Sequence, residues 1–393
     1  MENIMQKRKQ RSALWTCYAI TFFVFALIFL WGITGVVRGG GGTYRGFNFH
    51  ILIPSIVFFN GLVLGFRNAH NKCLYPLFSG GLTFLMFHLV FDAPIVSRAI
   101  VVSLFLPICA AFGGLGLGVA LRRVRLLYQI GKGVFIISML IVFVHIVHAV
   151  TLDRIIEYTE ITFSSPALPS EMDGYRIAFI TDTHTISETR LQTVVNELNQ
   201  QNLDLLLLGG DFATNVARMQ QTVEILARIE ATDGAFGVAG NHDCYISLFA
   251  AMEANGMTPL ANSGVHIGEN FFLAGVEDLW NRNPNIAHTL EGAHADDFVI
   301  LLSHNPDVSM QQDTSAVHLT LSGHTHGGQV AFFGIWAPFF TVTRHLTAYG
   351  QRFRAGWAES YDGMPVFVSR GIGEYIPRVF ARPEVILITL LAE

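Results

Sequence analysis

A chain of 393 residues, 51% hydrophobic and only 14% charged, is long enough for two cores and too apolar for an ordinary soluble protein. A net charge of −5, with no basic run interleaved with aromatics beyond short stretches flanking apolar segments, argues against nucleic acid as a partner. Of the four cysteines, Cys17 and Cys109 sit in apolar segments, Cys73 in a short loop and Cys244 alone further on, so no disulfide framework or CxxC pair follows.

The apolar excess lies before residue 150. Apolar stretches run at about 13–37, 47–66, 75–95, 99–121 and 133–150, each near or above the ~20 residues that a helix needs to cross hydrocarbon. A backbone in lipid must satisfy its own hydrogen bonds, so five transmembrane helices are expected, the third interrupted by Gly80 and Gly81. Lys7, Arg8, Lys9 and Arg11 precede the first, but its apolar run is too long for a cleaved leader, and it reads as an anchor. Arg67, Lys72, Arg122, Arg123, Arg125 and Lys132 fall on the side of the N-terminus, against Arg38, Arg45 and Arg98 on the other. Positive charge stays inside, so five crossings carry residues 151–393 out of the cytoplasm, with the chain in the inner (plasma) membrane of a bacterium. His145 and His148, in the last crossing, read as the end of a helix near the polar interface rather than as a relay.

From 151 onward the composition is that of a globular enzyme. A strand-like stretch, Arg154 to Phe163, precedes a loop rich in Ser and Pro. A pattern then recurs: a short apolar run, consistent with a buried strand, stops at a polar cluster. The runs and endings are YRIAFI–TDTH, LDLLLL–GGD, AFGVA–GNHD, FVILL–SHNPD and VHLTL–SGHTHGG. Segments with helical spacing, such as Glu188 to Gln201 and Val216 to Thr232, lie between several of them. This is an α/β layout, in which sites form at the carboxyl ends of strands.

The endings supply Asp182, His184, Asp211, Asn241, His242, Asp243, His304, His324 and His326. Carboxylates and imidazoles without cysteine suit divalent Mn, Fe, Zn, Co or Ni. A lone Asp-Thr-His or Gly-Asp is a common turn sequence. Five such endings in one domain are different, because burying so many ionisable groups together without a cation is prohibitively costly. Cys244, next to one ending, reads as packing. The aromatics Phe332, Phe333, Trp336, Phe339 and Phe340 beside the last ending read either as core packing or as a surface that dips into a bilayer or cradles an acyl chain.

The order DxH, GD, GNHD, H, GHxH resembles the calcineurin-like metallophosphoesterase superfamily from about residue 155 to the end. GHTHGGQ and the closing RGIG and RPEVILITL are similar to the bacterial branch with an N-terminal membrane anchor and to transmembrane proteins with a metallophosphoesterase domain. That branch carries a second acidic residue shortly after GDF, where this chain has Thr214 and Asn215. The resemblance implies a two-sheet β-sandwich flanked by helices over 151–393, preceded by an α-helical transmembrane domain over 1–150. It implies two divalent ions, one held by Asp182, His184, Asp211 and His326, the other by Asp211, Asn241, His304 and His324. It further implies that His242 acts as general acid oriented by Asp243, and that water activated between the ions hydrolyses a phosphomonoester or phosphodiester, a small molecule or a lipid-linked one. One alternative is the pyrophosphate of UDP-2,3-diacylglucosamine, which requires a cytosolic site. Another, of a different class, is a non-catalytic membrane receptor for a phosphorylated ligand.

Overall fold

The computed structural model describes residues 143–393, apart from 185, 214, 338, 343, 345, 374–377 and 393, together with 137, 140 and 141. The expected membrane helices, with Cys17, Cys73 and Cys109, lie outside the described residues, except that 143–150, the end of the fifth, is helical. No helix among the described residues is long and apolar enough to cross a membrane. The chain divides into two compact units, 1–142 and 143–393, and the second carries both sheets.

The first sheet has six strands in the order β1-β12-β2-β3-β4-β5. They are β1 (Glu157–Ser165), β2 (Arg176–Ile180), β3 (Leu205–Leu208), β4 (Ala235–Gly237), β5 (Thr258–Pro259) and β12 (Glu384–Ala392). β2 to β5 are parallel neighbours, joined by α1 (Glu188–Leu198), α2 (Val216–Leu226) and α3 (Tyr245–Ala254). Such crossovers need a helix to return the chain across one face of the sheet. α1 buries Leu191, Val194, Val195 and Leu198, an i, i+3, i+4, i+7 spacing that forms one stripe. Asn215 begins α2 by accepting the Arg218 N–H at 2.9 Å, a cap that satisfies an otherwise orphaned amide.

Strands β2 and β3 are apolar at nearly every position because they are covered on both faces. Ala178, Ile180, Leu206 and Leu208 face the helices. Ile177, Phe179, Leu205 and Leu207 face the second sheet, where Phe271, Phe298, Ile300, Leu319 and Leu321 meet them. That sheet runs β10-β11-β9-β8-β7-β6, with β6 (Ser263–His266), β7 (Phe271–Gly275), β8 (Phe298–Leu302), β9 (Leu319–Ser322), β10 (Gly356–Glu359) and β11 (Pro365–Val368). Its outer face, with Phe272, Ala274, Val299 and Leu301, is covered by Ile286, Val308 and Val317. The domain is thus the expected two-sheet α/β sandwich, with parallel β7, β8, β9 and β11 in the second sheet aligned by register.

Candidate metal centre

Each of the five polar endings follows a strand. β2 leads into Asp182 and His184, β3 into Asp211, β4 into Asn241, His242 and Asp243, β8 into His304, and β9 into His324 and His326. Three come from the first sheet and two from the second, so the site forms where parallel strands of both sheets end. The chain turns sharply there. Asp182, His184, Asp211, His324 and His326 all have positive φ, from 36° to 70°, a left-handed backbone costing about 1–3 kcal/mol per residue. Glycine makes the approach possible. A Cβ at Gly240 would strike the Asp211 carboxylate, and one at Gly323 would strike Thr181 and Asp182.

The side chains converge in two buried groups, Asp182, His184 and His326, and Asp211, His304 and His324. In the first, Asp182 Oδ1 lies 3.7 Å from His184 Nε2 and 3.5 Å from His326 Nε2. In the second, His304 Nε2 lies 3.3 Å from Asp211 Oδ2 and 3.2 Å from both Asn241 Oδ1 and His324 Nδ1. Asp211 Oδ2 is also 3.2 Å from His184 Nε2, so one carboxylate oxygen stands between the groups. Its partner oxygen accepts the His242 N–H at 2.8 Å, which fixes the rotation of the carboxylate. Ligand atoms at tetrahedral or octahedral angles, bonded at ~2.1 Å, stand ~3.0–3.4 Å apart, the spacing seen in the second group. His304 Nδ1 lies 2.8 Å from the Gly209 carbonyl. Its N–H donates there and leaves Nε2 with a lone pair for the site, as metal-ligating histidines do. Asp182 Oδ1 is buried with no hydrogen-bond partner, while Oδ2 accepts from the Thr181 hydroxyl and the His324 N–H. The residues therefore fit two divalent ions.

The family profile for calcineurin-like phosphoesterases matches residues 175–328. Over 260 residues the chain is 32% identical to YkuE of Bacillus subtilis, named an uncharacterized metallophosphoesterase, covering 60% of this chain and 86% of that protein. The chain belongs to the calcineurin-like metallophosphoesterase family. A zebrafish protein, named a transmembrane protein with metallophosphoesterase domain, is 29% identical over 252 residues, 57% of this chain and 54% of that protein. A Campylobacter jejuni metallophosphoesterase is 26% identical over 272 residues, covering 65% and 70%.

Charge in this metallophosphoesterase is arranged as a cation site would require. Burial opposes ionisation of Asp182 and Asp211, yet the surrounding imidazoles hold both below the usual carboxylate range. Burial would likewise lower His184 and His304, but Asp182 and Asp211 outweigh it and hold them up at about 9 and about 10. Burial lowers His324 and His326 to about 3. Without metal, each group thus keeps one protonated imidazole and one neutral one. A proton occupies the place that a cation of higher charge would take.

His242 and Asp243 sit differently from each other. The His242 ring is exposed, 5.3 Å from the His184 ring. The Asp243 carboxylate does not bond that ring. It accepts the backbone N–H groups of Asp211, Phe212 and Gly240 at 2.7, 2.9 and 2.9 Å. Its oxygens are committed to the turn that presents Asp211, so it positions that ligand rather than the expected acid. Burial, and then the Asp211 charge, push Asp243 up to about 7.

Three contributors escaped the sequence reading. Buried Arg378 donates to the carbonyls of Gly373, Arg370 and Ala381, each at 3.0 Å. The segment it braces gives the Ile372 and Gly373 N–H groups to the Thr181 and Asp182 carbonyls. Trp280, edge-on to His324 at 4.5 Å, and Asn281, which donates to the Asn241 carbonyl, follow β7. The run FFLAG before Val276-Glu277-Asp278 is one more apolar stretch with an acidic ending, the signal that finds them.

Proposed function

We propose that this metallophosphoesterase is a membrane-bound, two-metal hydrolase of a phosphomonoester or phosphodiester whose organic part is lipid-like. The observation that carries the reading is Asp211 Oδ2, equidistant within 0.1 Å from a histidine of each group (3.2 and 3.3 Å), the position of a ligand shared by two ions. Asp182, His184 and His326 would hold one ion with Asp211, and Asn241, His304 and His324 the other. When bound, such a pair supplies Lewis acidity that activates water near neutral pH and offsets phosphoryl charge.

The chain's own residues do the rest. The Asp243 carboxylate and the His242 N–H hold Asp211 in one rotation. The His242 ring, exposed and beside the His184 ring, is placed to give its proton to the departing alkoxide as the P–O bond breaks and a new bond to water oxygen forms. Trp280 closes one wall with an apolar face.

Membrane attachment is supported by the end of the fifth apolar stretch. His145 packs against Phe332, Phe333 and Phe380 at 4.8, 4.8 and 4.9 Å. His148 stacks on Phe380 at 3.8 Å and pairs with Asp153 at 2.7 Å, which accounts for both histidines without a relay. The loop after GHTHGGQ is thereby tied to helical turns whose Phe143, Val144, Ile146 and Val147 are exposed. Of the loop aromatics, Phe339 and Phe340 are buried, whereas Phe333 and Trp336 are exposed beside Ile335. A lipid substrate entering from an interface would meet the exposed set first.

The test is hydrolysis of bis-p-nitrophenyl phosphate and p-nitrophenyl phosphate by the full chain in detergent with Mn²⁺. Turnover is expected with the parent and its loss with Asp211→Asn. A parent that binds the ions but hydrolyses neither ester would overturn the reading in favour of a receptor for a phosphorylated ligand.

A further inference from the structure

A third group of ligand-type side chains lies far from the centre just described. His266 ends β6, and His294 and Asp297 lie in the turn that feeds β8. One ligand atom from each lies within 4.8 Å of the others. β8 enters beside this group and delivers His304 at its other end. Asp297 precedes and His304 follows the five residues of β8, which at ~3.3 Å each place the two sites at opposite ends of that strand, at least ~17 Å apart along it.

The group is asymmetric in a way that an ion pair alone does not explain. The Asp297 side chain is fully buried, while those of His266 and His294 are 31% and 75% exposed. Asp297 Oδ2 accepts the His294 backbone N–H at 2.6 Å and lies 2.8 Å from His266 Nε2 and 3.8 Å from His294 Nδ1. Asp297 Oδ1 is buried without any hydrogen-bond partner. No arginine among the described residues pairs with this carboxylate, and residues 133–393 contain no lysine. The two imidazoles stack at 4.6 Å and 27°, an arrangement that brings both rings to one carboxylate. Phe272, edge-on to His266 at 4.9 Å, backs the pair.

Two imidazole nitrogens and one carboxylate, with no sulfur and open access on the histidine side, suit a borderline transition ion with water completing the shell. Tetrahedral zinc with bonds of ~2.0–2.1 Å separates its ligands by ~3.3 Å, between the two nitrogen–oxygen distances present. We propose that His266, His294 and Asp297 form a mononuclear site for a divalent transition ion, Zn²⁺ being the reference ion, separate from the dinuclear centre. β6 is the outermost strand of its sheet, so an ion there would clip an exposed edge to the loop before β8 and cover part of a row of unpaired backbone groups.

The test uses the full chain in detergent, stripped with chelator and dialysed against Zn²⁺, with bound zinc counted by elemental analysis. Three equivalents per chain are expected for the parent and two for His266→Ala and His294→Ala, both retaining parental turnover of bis-p-nitrophenyl phosphate. In an Asp211→Asn background, which cripples the other centre, the equivalent that depends on His294 should persist, and addition of His294→Ala should remove it. Because His294 is largely exposed, its loss should not unfold the chain. As an independent readout, Zn²⁺ should slow amide exchange across 263–275 in the parent and not in His294→Ala. A parent whose zinc count and exchange at 263–275 are the same as those of His294→Ala contains an ordinary His–Asp ion pair, and the proposal fails. Failure of the dinuclear reading alone would leave the equivalent that depends on His294 in place.

Discussion

Asp211 is the residue on which most of the site's geometry turns, and its neighbours say what each would cost to remove. Asp243 holds three backbone amides around it. Asp243→Ala should leave those donors unsatisfied and destabilise the domain by about 2–4 kcal/mol, with metal content falling as Asp211 loses its position. Thermal melting and elemental analysis of the variant check both effects. His242 contributes its ring to no ligand group, so His242→Ala should bind two ions normally while turnover drops ~10²- to 10⁴-fold. An equally active variant would assign the acid elsewhere. Proton linkage adds a pH dependence. In the chelated chain, His184 and His304 are raised to about 9 and about 10 from an ordinary ~6.5. The stability they add is complete below pH ~6.5 and is lost as pH rises through 9 to 10, because the fold then binds more protons than the unfolded chain. Metal loading should displace those protons. It should therefore release acid at pH 8, measurable in weakly buffered solution, and tighten as pH rises toward 9.

At the scale of elements, the turns after the strands were legible because their chemistry interrupts long apolar runs, as where LDLLLL stops at Gly209-Gly210-Asp211. β8 is observed over Phe298–Leu302, the run expected. The helices stop short of their expected ends, at Leu198 and Leu226: past Leu198 come only polar residues up to Asn202, whereas past Leu226 the buried Ile229 continues the apolar pattern from a turn rather than from helix. What residue types could not reveal was the left-handed backbone beneath these side chains, because even Asp and His, which adopt positive φ more often than most residues, do so too seldom to mark a position. Nor could they reveal the tie from Arg378 to Asp182, which joins chain segments almost 200 residues apart. The second acidic position of related chains falls near Asn215, which serves here as a helix cap, while Thr214 lies outside the described residues. The glycines at the turns give a direct test. Gly323→Ala would push a methyl group into Thr181 and Asp182. It should abolish binding of at least one ion while far-UV circular dichroism stays that of the parent. Leu207→Ala, in the seam between the sheets, should instead cost about 2–5 kcal/mol at any metal concentration.

For the whole molecule, the proposed lipid-like substrate can be tested at the loop that follows the GHTHGGQ run. Phe333, Ile335 and Trp336 are exposed in a loop packed against the helical turns at 143–150. Replacing all three with serine should lower turnover of a lipid phosphoester presented in vesicles by tenfold or more and leave a water-soluble chromogenic ester unaffected. Equal losses on both esters would mean that the loop only supports the fold. Composition changes near residue 150, apolar before it and of globular type after it, a contrast that is readable because solvent dictates composition over long stretches. The substrate stayed open, because substrate specificity is written in loop shape, which composition does not encode.

β12 lies between β1 and β2, parallel to one and antiparallel to the other. Translation proceeds from β1 onward, so β1 emerges some 220 residues ahead of its sole neighbour in the sheet and must wait unzipped until residues 384–392 arrive. A ribosome stalled at residue 380 would have made every candidate metal ligand and still lack the strand that joins β1 to the rest of its sheet, so such a nascent chain should be a client for holding chaperones.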